Sequence, residues 1–218
     1  EDVAQSFGSK YDNKLLGTIG DFGCFSFFPT KTLGAYGDGG AIVTNNDDLA
    51  STARMLKNHG ASKKYFNEVI GYNSRLDSIQ ASFLDMKLKK INELITLRKD
   101  AGIFYNKMLE DNENITIVNN HESTFNYYSI IINQGSRDEL QTYLTEEGIS
   151  TSVYYPKTLP SLPAHNIQES FPNAEYISTK IISLPIFPSI SESQQIYVVE
   201  KLNNYFLSKL WKLKIPIK

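Results

Sequence analysis

The sequence predicts an α/β portion followed by a smaller α+β portion. Three observations carry that expectation. An apolar run at 22–28 passes through a glycine-rich stretch into a second strand-like run at 41–44 and then into a capped helix. From Asp77 to about Glu110 apolar residues recur at helical spacing, and beyond that strand and helix patterns alternate in short pieces.

The elements follow in order. Phe22, Phe25, Phe27 and Phe28 make the first run, and Cys24 within it is expected as a small core residue rather than a nucleophile. Gly37, Gly39 and Gly40 suit a tight turn before the strand at 41–44. As a dinucleotide fingerprint the glycine run fails, because it feeds a strand where that motif opens a helix. Residues 47–56 read as an amphipathic helix with Asp47 or Asn46 at the N-cap. The polar stretch 57–72, holding His59 and Gly60, is expected to be a loop. The spacing of Phe83, Met86, Ile91, Leu94, Ile95 and Leu109 gives two helices or one bent helix. Strands are expected at 115–118 and 127–132, then a helix at 136–147 ended by Gly148. A short strand at 151–155, a helix at 173–180 and a last helix at 191–206 complete the reading. The expected organisation is therefore 1–76 as the end of a large domain, 77–112 as a connecting helical segment, 113–206 as a small domain and 207–218 as a tail.

Composition narrows the function classes. The chain has 218 residues, 41% of them hydrophobic and 21% charged, as expected for a globular protein with one sizeable domain or two small ones. A net charge of -2 gives no electrostatic footprint for nucleic acid. One cysteine forms no internal disulfide and fits a reducing cytoplasm. No run reaches transmembrane length, so no membrane partner is expected, and neither is a metal site. The sequence starts without methionine inside a motif, and reads as the C-terminal part of a longer protein.

The candidate chemistry centres on Lys31. It stands just past the first apolar run and just before the glycine-rich turn, with Ser26 five residues upstream. Pyridoxal phosphate catalysis needs an amine that captures the cofactor, a carboxylate that keeps the pyridine nitrogen protonated, and donors for the phosphate. Lys31, Asp2 and Ser26 are candidates for those roles. Asp2 would end a strand whose apolar part lies before residue 1, at the carboxyl edge of a sheet where α/β folds bind ligands. Gln5, on the turn leaving that strand, would reach the ring's phenolic oxygen or its neighbours. A nucleophilic lysine also needs a desolvated or positively crowded amine, and Phe25, Phe27, Phe28 and Leu33 would supply a low-dielectric wall. Taken singly, Lys31 reads as a solvated loop charge. The joint order and spacing carry the signal.

Glu1-Asp2-Val3-Ala4-Gln5, the run Asp21-Phe22-Gly23-Cys24-Phe25-Ser26-Phe27-Phe28-Pro29-Thr30-Lys31-Thr32-Leu33-Gly34 and Gly71-Tyr72-Asn73-Ser74-Arg75-Leu76 together resemble the nucleotide-sugar aminotransferases of the DegT/StrS type. The resemblance runs to about Phe206. It implies the pyridoxal-phosphate-dependent transferase fold type I, aspartate-aminotransferase-like, with the end of the large domain and a small α+β domain. It further implies that Lys31 holds the cofactor and moves a proton, and that an amino group passes, from glutamate, to a keto nucleotide sugar used in polysaccharide or related biosynthesis. Asn73 would reach the cofactor phosphate of a neighbouring subunit, giving a homodimer with shared active sites. Arg75 would pair with a carboxylate or phosphate there or form a surface ion pair, and His59 lies in a further matching segment as a structural hydrogen-bonder. A relative that dehydrates sugars has histidine at the lysine position, so Lys31 favours transamination. Tyr154 and the stretch 124–128 depart from the family where histidines are frequent, which leaves the sugar open. The rival readings are a non-catalytic or regulatory protein of the same fold and a pyridoxal enzyme acting on an amino acid.

Overall fold

Asp12 and Asn13 both adopt left-handed backbone, the geometry of a two-residue hairpin turn, and join β1 (Lys10–Tyr11) to β2 (Lys14–Leu15). The structure is a computed structural model, and it describes residues 1–118, 122–165, 167 and 169–214. The chain forms two compact units. The first comprises Glu1–Thr96 with His121–Asn126, and the second comprises Leu97–Asn120 with Tyr127–Lys218. The expected connecting segment 77–112 is thus shared between them.

In the first unit β3 (Gly23–Ser26) pairs antiparallel with β4 (Gly40–Val43), Gly23 opposite Val43 and Ser26 opposite Gly40. Helix α1 (Asp47–Lys57) starts where expected. Its cap is Asn46, whose side chain accepts from the N–H groups of Asp48 and Leu49 and so satisfies two donors that a helix start leaves open. The stretch expected as a loop at 57–72 instead holds a small hairpin, β5 (Ala61–Lys63) with β6 (Phe66–Asn67). Strands of two and three residues are too short to leave a period-two signature. The helical stretch after Asp77 is two helices, α2 (Ser78–Leu88) and α3 (Ile91–Leu109). Leu33, Ala35, Leu84 and Ile91 form a buried cluster, with Phe7, Phe27, Leu76 and Ile95 packed against it.

The second unit is built on an antiparallel sheet in the order β7 (Ile115–Ile117), β8 (Tyr128–Ile132), β9 (Ile181–Leu184). Along β8 the residues Tyr128, Ile130 and Ile132 alternate inward and are fully buried. Three further helices belong to the unit: α4 (Arg137–Glu146), α5 (Pro172–Lys180) and α6 (Glu192–Lys214). Buried Leu140, Leu144, Val198, Leu202, Tyr105 and Leu109 fill its core, and each large apolar side chain of this kind contributes about 1.5–3 kcal/mol on burial. Gly148 follows α4 with φ of 74°, the left-handed residue that ends a helix without a Cβ penalty. Helix α6 continues past the expected end at Phe206 through the start of the expected tail.

No strand forms at 151–155. Only Ser152 pairs, with Ser183 of β9. Tyr154 instead stacks on Tyr127 at 4.1 Å and meets Tyr155 edge-on, and Pro156 has no N–H to continue a ladder. β9 itself was not expected as a strand. Among the described residues no helix is long and apolar enough to cross a membrane.

Candidate active site

Backbone pairing brings the first candidate residues to one strand end. Val3 donates to the Cys24 carbonyl and Cys24 donates to the Glu1 carbonyl, both at 2.9 Å, so Asp2 pairs in parallel with Cys24 of β3. Adjacent strands lie about 4.8 Å apart, which sets Asp2 beside Cys24 and diagonal to Ser26, two residues further on and on the same face as Cys24. The Asp2 carboxylate accepts from the Ala4 N–H at 3.0 Å, an Asx turn that ends the strand and leads to exposed Gln5. Glu1 fixes the neighbouring loop. Its carboxylate accepts from the N–H groups of Gly17, Ile19 and Gly20 at 2.7–2.8 Å, and these bonds, that of Gly20 foremost, hold it below the usual carboxylate range.

Past Ser26 the chain folds back on itself. The Phe28 N–H donates to Ser26 Oγ at 3.3 Å, Lys31 N–H to the Phe28 carbonyl at 2.9 Å, and Ala35 N–H to the Phe27 carbonyl at 2.7 Å. At Gly34 an added Cβ would stand 2.4 Å from the Pro29 carbonyl oxygen, so this turn requires glycine. Lys31 is half-buried at its start, and the adjacent Leu33 goes into the core. Of the expected apolar wall, Leu33 is buried, Phe25 and Phe27 are half-buried, and Phe28 is exposed.

Two other elements hold the turn, and the sequence did not single them out for it. On α2, Gln80 Oε1 accepts from the Tyr36 N–H at 2.9 Å, and Lys87 Nζ donates to the Gly34 carbonyl at 2.6 Å while lying 4.3 Å from the Tyr36 ring centre. Phe83 meets the same ring edge-on at 4.8 Å. Gln80, Phe83, Leu84 and Lys87 share one helix face at spacings of three and four, so a single side of α2 serves the turn. The second support is the segment ahead of β8. Asn126, buried at 5% exposure, accepts from both the N–H and the hydroxyl of Thr32, at 3.1 and 3.3 Å. Phe125 beside it has φ of 48°, a conformation that costs a bulky residue about 1–3 kcal/mol and is offset by burial of its ring.

Asp2 and Ser26 thus lie at the carboxyl end of β3 and Lys31 on the turn that follows it, with Gln5 on the turn after Asp2. Asn73 belongs to another stretch of backbone: it pairs with Asn58, and its Oδ1 accepts from Arg75 Nε at 3.2 Å. His59 donates its backbone N–H to the Tyr72 carbonyl. Cys24 is exposed and is not a core residue, because its face of the β3–β4 pair, shared with exposed Ile42 opposite, is left uncovered by this chain. The histidine-poor stretch 124–128 is the support just described, and Tyr127 lies in the tyrosine stack.

A model of the DegT/DnrJ/EryC1/StrS aminotransferase family matches residues 1–203. The chain belongs to that family. It is 41% identical over 94% of its length to a pleiotropic regulatory protein of Geobacillus stearothermophilus, and 38% identical over 89% to a UDP-N-acetyl-3-dehydro-alpha-D-glucosamine 3-aminotransferase of Acidithiobacillus ferrooxidans. It covers 57% and 53% of those relatives, and so spans about half the length of the curated proteins it matches. The crystal structure of a family aminotransferase from Brucella abortus superposes with a TM-score of 0.86 at 36% identity, covering 94% of this chain and 56% of that one. The expected fold type I, aspartate-aminotransferase-like, holds for this member of the family.

Proposed function

We propose that the chain carries the cofactor-holding part of a pyridoxal-phosphate-dependent aminotransferase, which passes an amino group, from glutamate, to a keto group on a nucleotide-linked sugar. The observation that carries this reading is the placement of Lys31, half-buried on a turn braced from two sides, at the strand end shared by Asp2 and Ser26. These residues fit the group: an amine, a carboxylate and a hydroxyl occur together with a turn too tight for any side chain at Gly34. When bound, pyridoxal phosphate supplies a carbonyl for an amine and a ring that withdraws electrons. Lys31 would hold it through Nζ and, when released, carry the proton to and from the substrate carbon. Asp2 would keep the ring nitrogen charged, Ser26 would donate to the phosphate, and Gln5 would lie beside the ring's oxygen. The keto-sugar class comes from the Acidithiobacillus relative, whose name specifies a UDP-linked 3-dehydro sugar.

The assembly we infer is a homodimer with two shared sites, Asn73 reaching the phosphate held by Ser26 of the other subunit. Exposed apolar side chains gather on the stretch around Asn73, with Tyr65 at 83% and Ile70 at 95% exposure, and Phe66, Tyr72, Ile79 and Met86 beside them in sequence. Such a concentration supports a protein partner. A reducing, cytoplasmic setting suits the lone cysteine. A regulatory role is the second reading, favoured by the name of the Geobacillus relative.

The test uses the full-length protein supplied with pyridoxal phosphate. Visible absorbance, its loss on borohydride reduction and added mass at Lys31 are expected, and Lys31→Ala should lose all three together with turnover. Product analysis with glutamate and nucleotide sugars bearing a keto group at C3 or C4 then identifies the substrate class. A wild type that binds no cofactor would establish the regulatory reading, while turnover of amino acids alone would exclude the sugar.

A further inference from the structure

The geometry points to Asn126 as a positioning residue for Lys31. Thr32 follows Lys31 directly, and both of its donors, the backbone N–H and the hydroxyl, converge on Asn126 Oδ1 at 3.1 and 3.3 Å. Both residues are buried, so little water competes for either donor. Because the N–H belongs to the peptide joining Lys31 to Thr32, its bond orients the backbone from which the lysine side chain departs. The same segment is fastened a second time. The Thr124 N–H donates to Ser9 Oγ at 3.2 Å, and the two hydroxyls lie 3.3 Å apart. Ser9 and Thr124 are also buried. Residues 124–126 therefore clasp the turn that follows Gln5 and the turn that carries Lys31. Through this clasp Asn126 fixes where the amine stands relative to Asp2 and Ser26.

This inference rests on the functional reading above, and its test separates the two. In the full-length protein Asn126→Leu keeps the volume and removes the acceptor, whereas Asn126→Asp keeps an accepting oxygen. Hydrogen exchange at the Thr32 amide is read in the apoprotein, and the pH midpoint of the visible absorbance in the protein loaded with pyridoxal phosphate. The leucine variant should exchange at Thr32 about tenfold faster or more. It should also move the absorbance midpoint by roughly half a pH unit or more, and lower kcat by a larger factor than it changes KM. The aspartate variant should restore protection at Thr32 and most of kcat. Should the leucine variant not fold, Thr32→Val, which removes only the hydroxyl, should move the midpoint the same way by less. Wild-type exchange and an unmoved midpoint in Asn126→Leu would overturn the positioning role alone, as would an unmoved midpoint in Thr32→Val. So would equal losses in the leucine and aspartate variants. A wild type with no visible absorbance would overturn the functional reading, and the positioning role with it.

Discussion

Asp2 and Asn126 are held in two different ways. Asp2 is placed by backbone pairing with Cys24 and by its turn bond to Ala4. Asp2→Asn keeps the oxygen that accepts from Ala4, so the strand end should stay in place while the charge is lost. If the proposed activity holds, we expect the exchange of the glutamate α-hydrogen with solvent in the full-length protein to slow by about 100-fold or more, on the order of 3 kcal/mol. An unchanged exchange rate would place Asp2 outside the site. Ser26 and Lys31 could be read as neighbours because one strand end and one turn join them, whereas Asp2 reaches β3 only by pairing with Cys24 and stood out only through the pattern around it. Asn126 did not stand out. Its partner lies 94 residues away, and a pattern read along the chain carries no record of a hydrogen bond made across it.

At the scale of elements, strong local codes were readable and weak ones were not. Helix α1 was legible from Asn46, Asp47 and its apolar spacing, since the cap and the periodicity are both local. The hairpin β5–β6 and strand β9 have two to four residues each, and their strand state is decided by the partners they pair with. The contact of α3 with the sheet of the second unit makes a pH prediction. Tyr105 on α3 and Tyr128 on β8 lie 4.8 Å apart between ring centres, donate to the Pro185 carbonyl and to Asn106, and are both pushed by burial above the ordinary value of 10.0. Below pH 10 each is neutral whether folded or unfolded, so its full contribution is present. As pH rises past that value the unfolded chain releases the protons and the folded unit retains them, and stability falls by up to about 1.4 kcal/mol per pH unit for each tyrosine. Chemical denaturation between pH 9 and 11 should show this loss, reduced in Tyr105→Phe. A variant with the wild-type slope would remove the tyrosine from that role.

At the scale of the whole molecule, the proposed shared site makes subunit mixing informative. A full-length variant severely disabled at Asn73 and another disabled at Lys31 should regain part of the activity when unfolded together and refolded, because each hybrid dimer holds one site with both native residues. No recovery, with an active species that sediments as a monomer, would reject the shared site. The exposed apolar stretch around Asn73 would then need another partner.

The clasp at 124–126 has a consequence for biosynthesis. Ser9 and Thr32 leave the ribosome long before Thr124 and Asn126 are made, and at about 5–20 residues per second the wait is on the order of seconds. Through that interval the Ser9 hydroxyl and both donors of Thr32 lack the partners that residues 124–126 supply, and β7 must emerge before the clasp closes. The chain therefore does not complete its first unit in order from the amino end. A ribosome stalled on the stretch before Thr124 would hold the lysine turn still open to proteases.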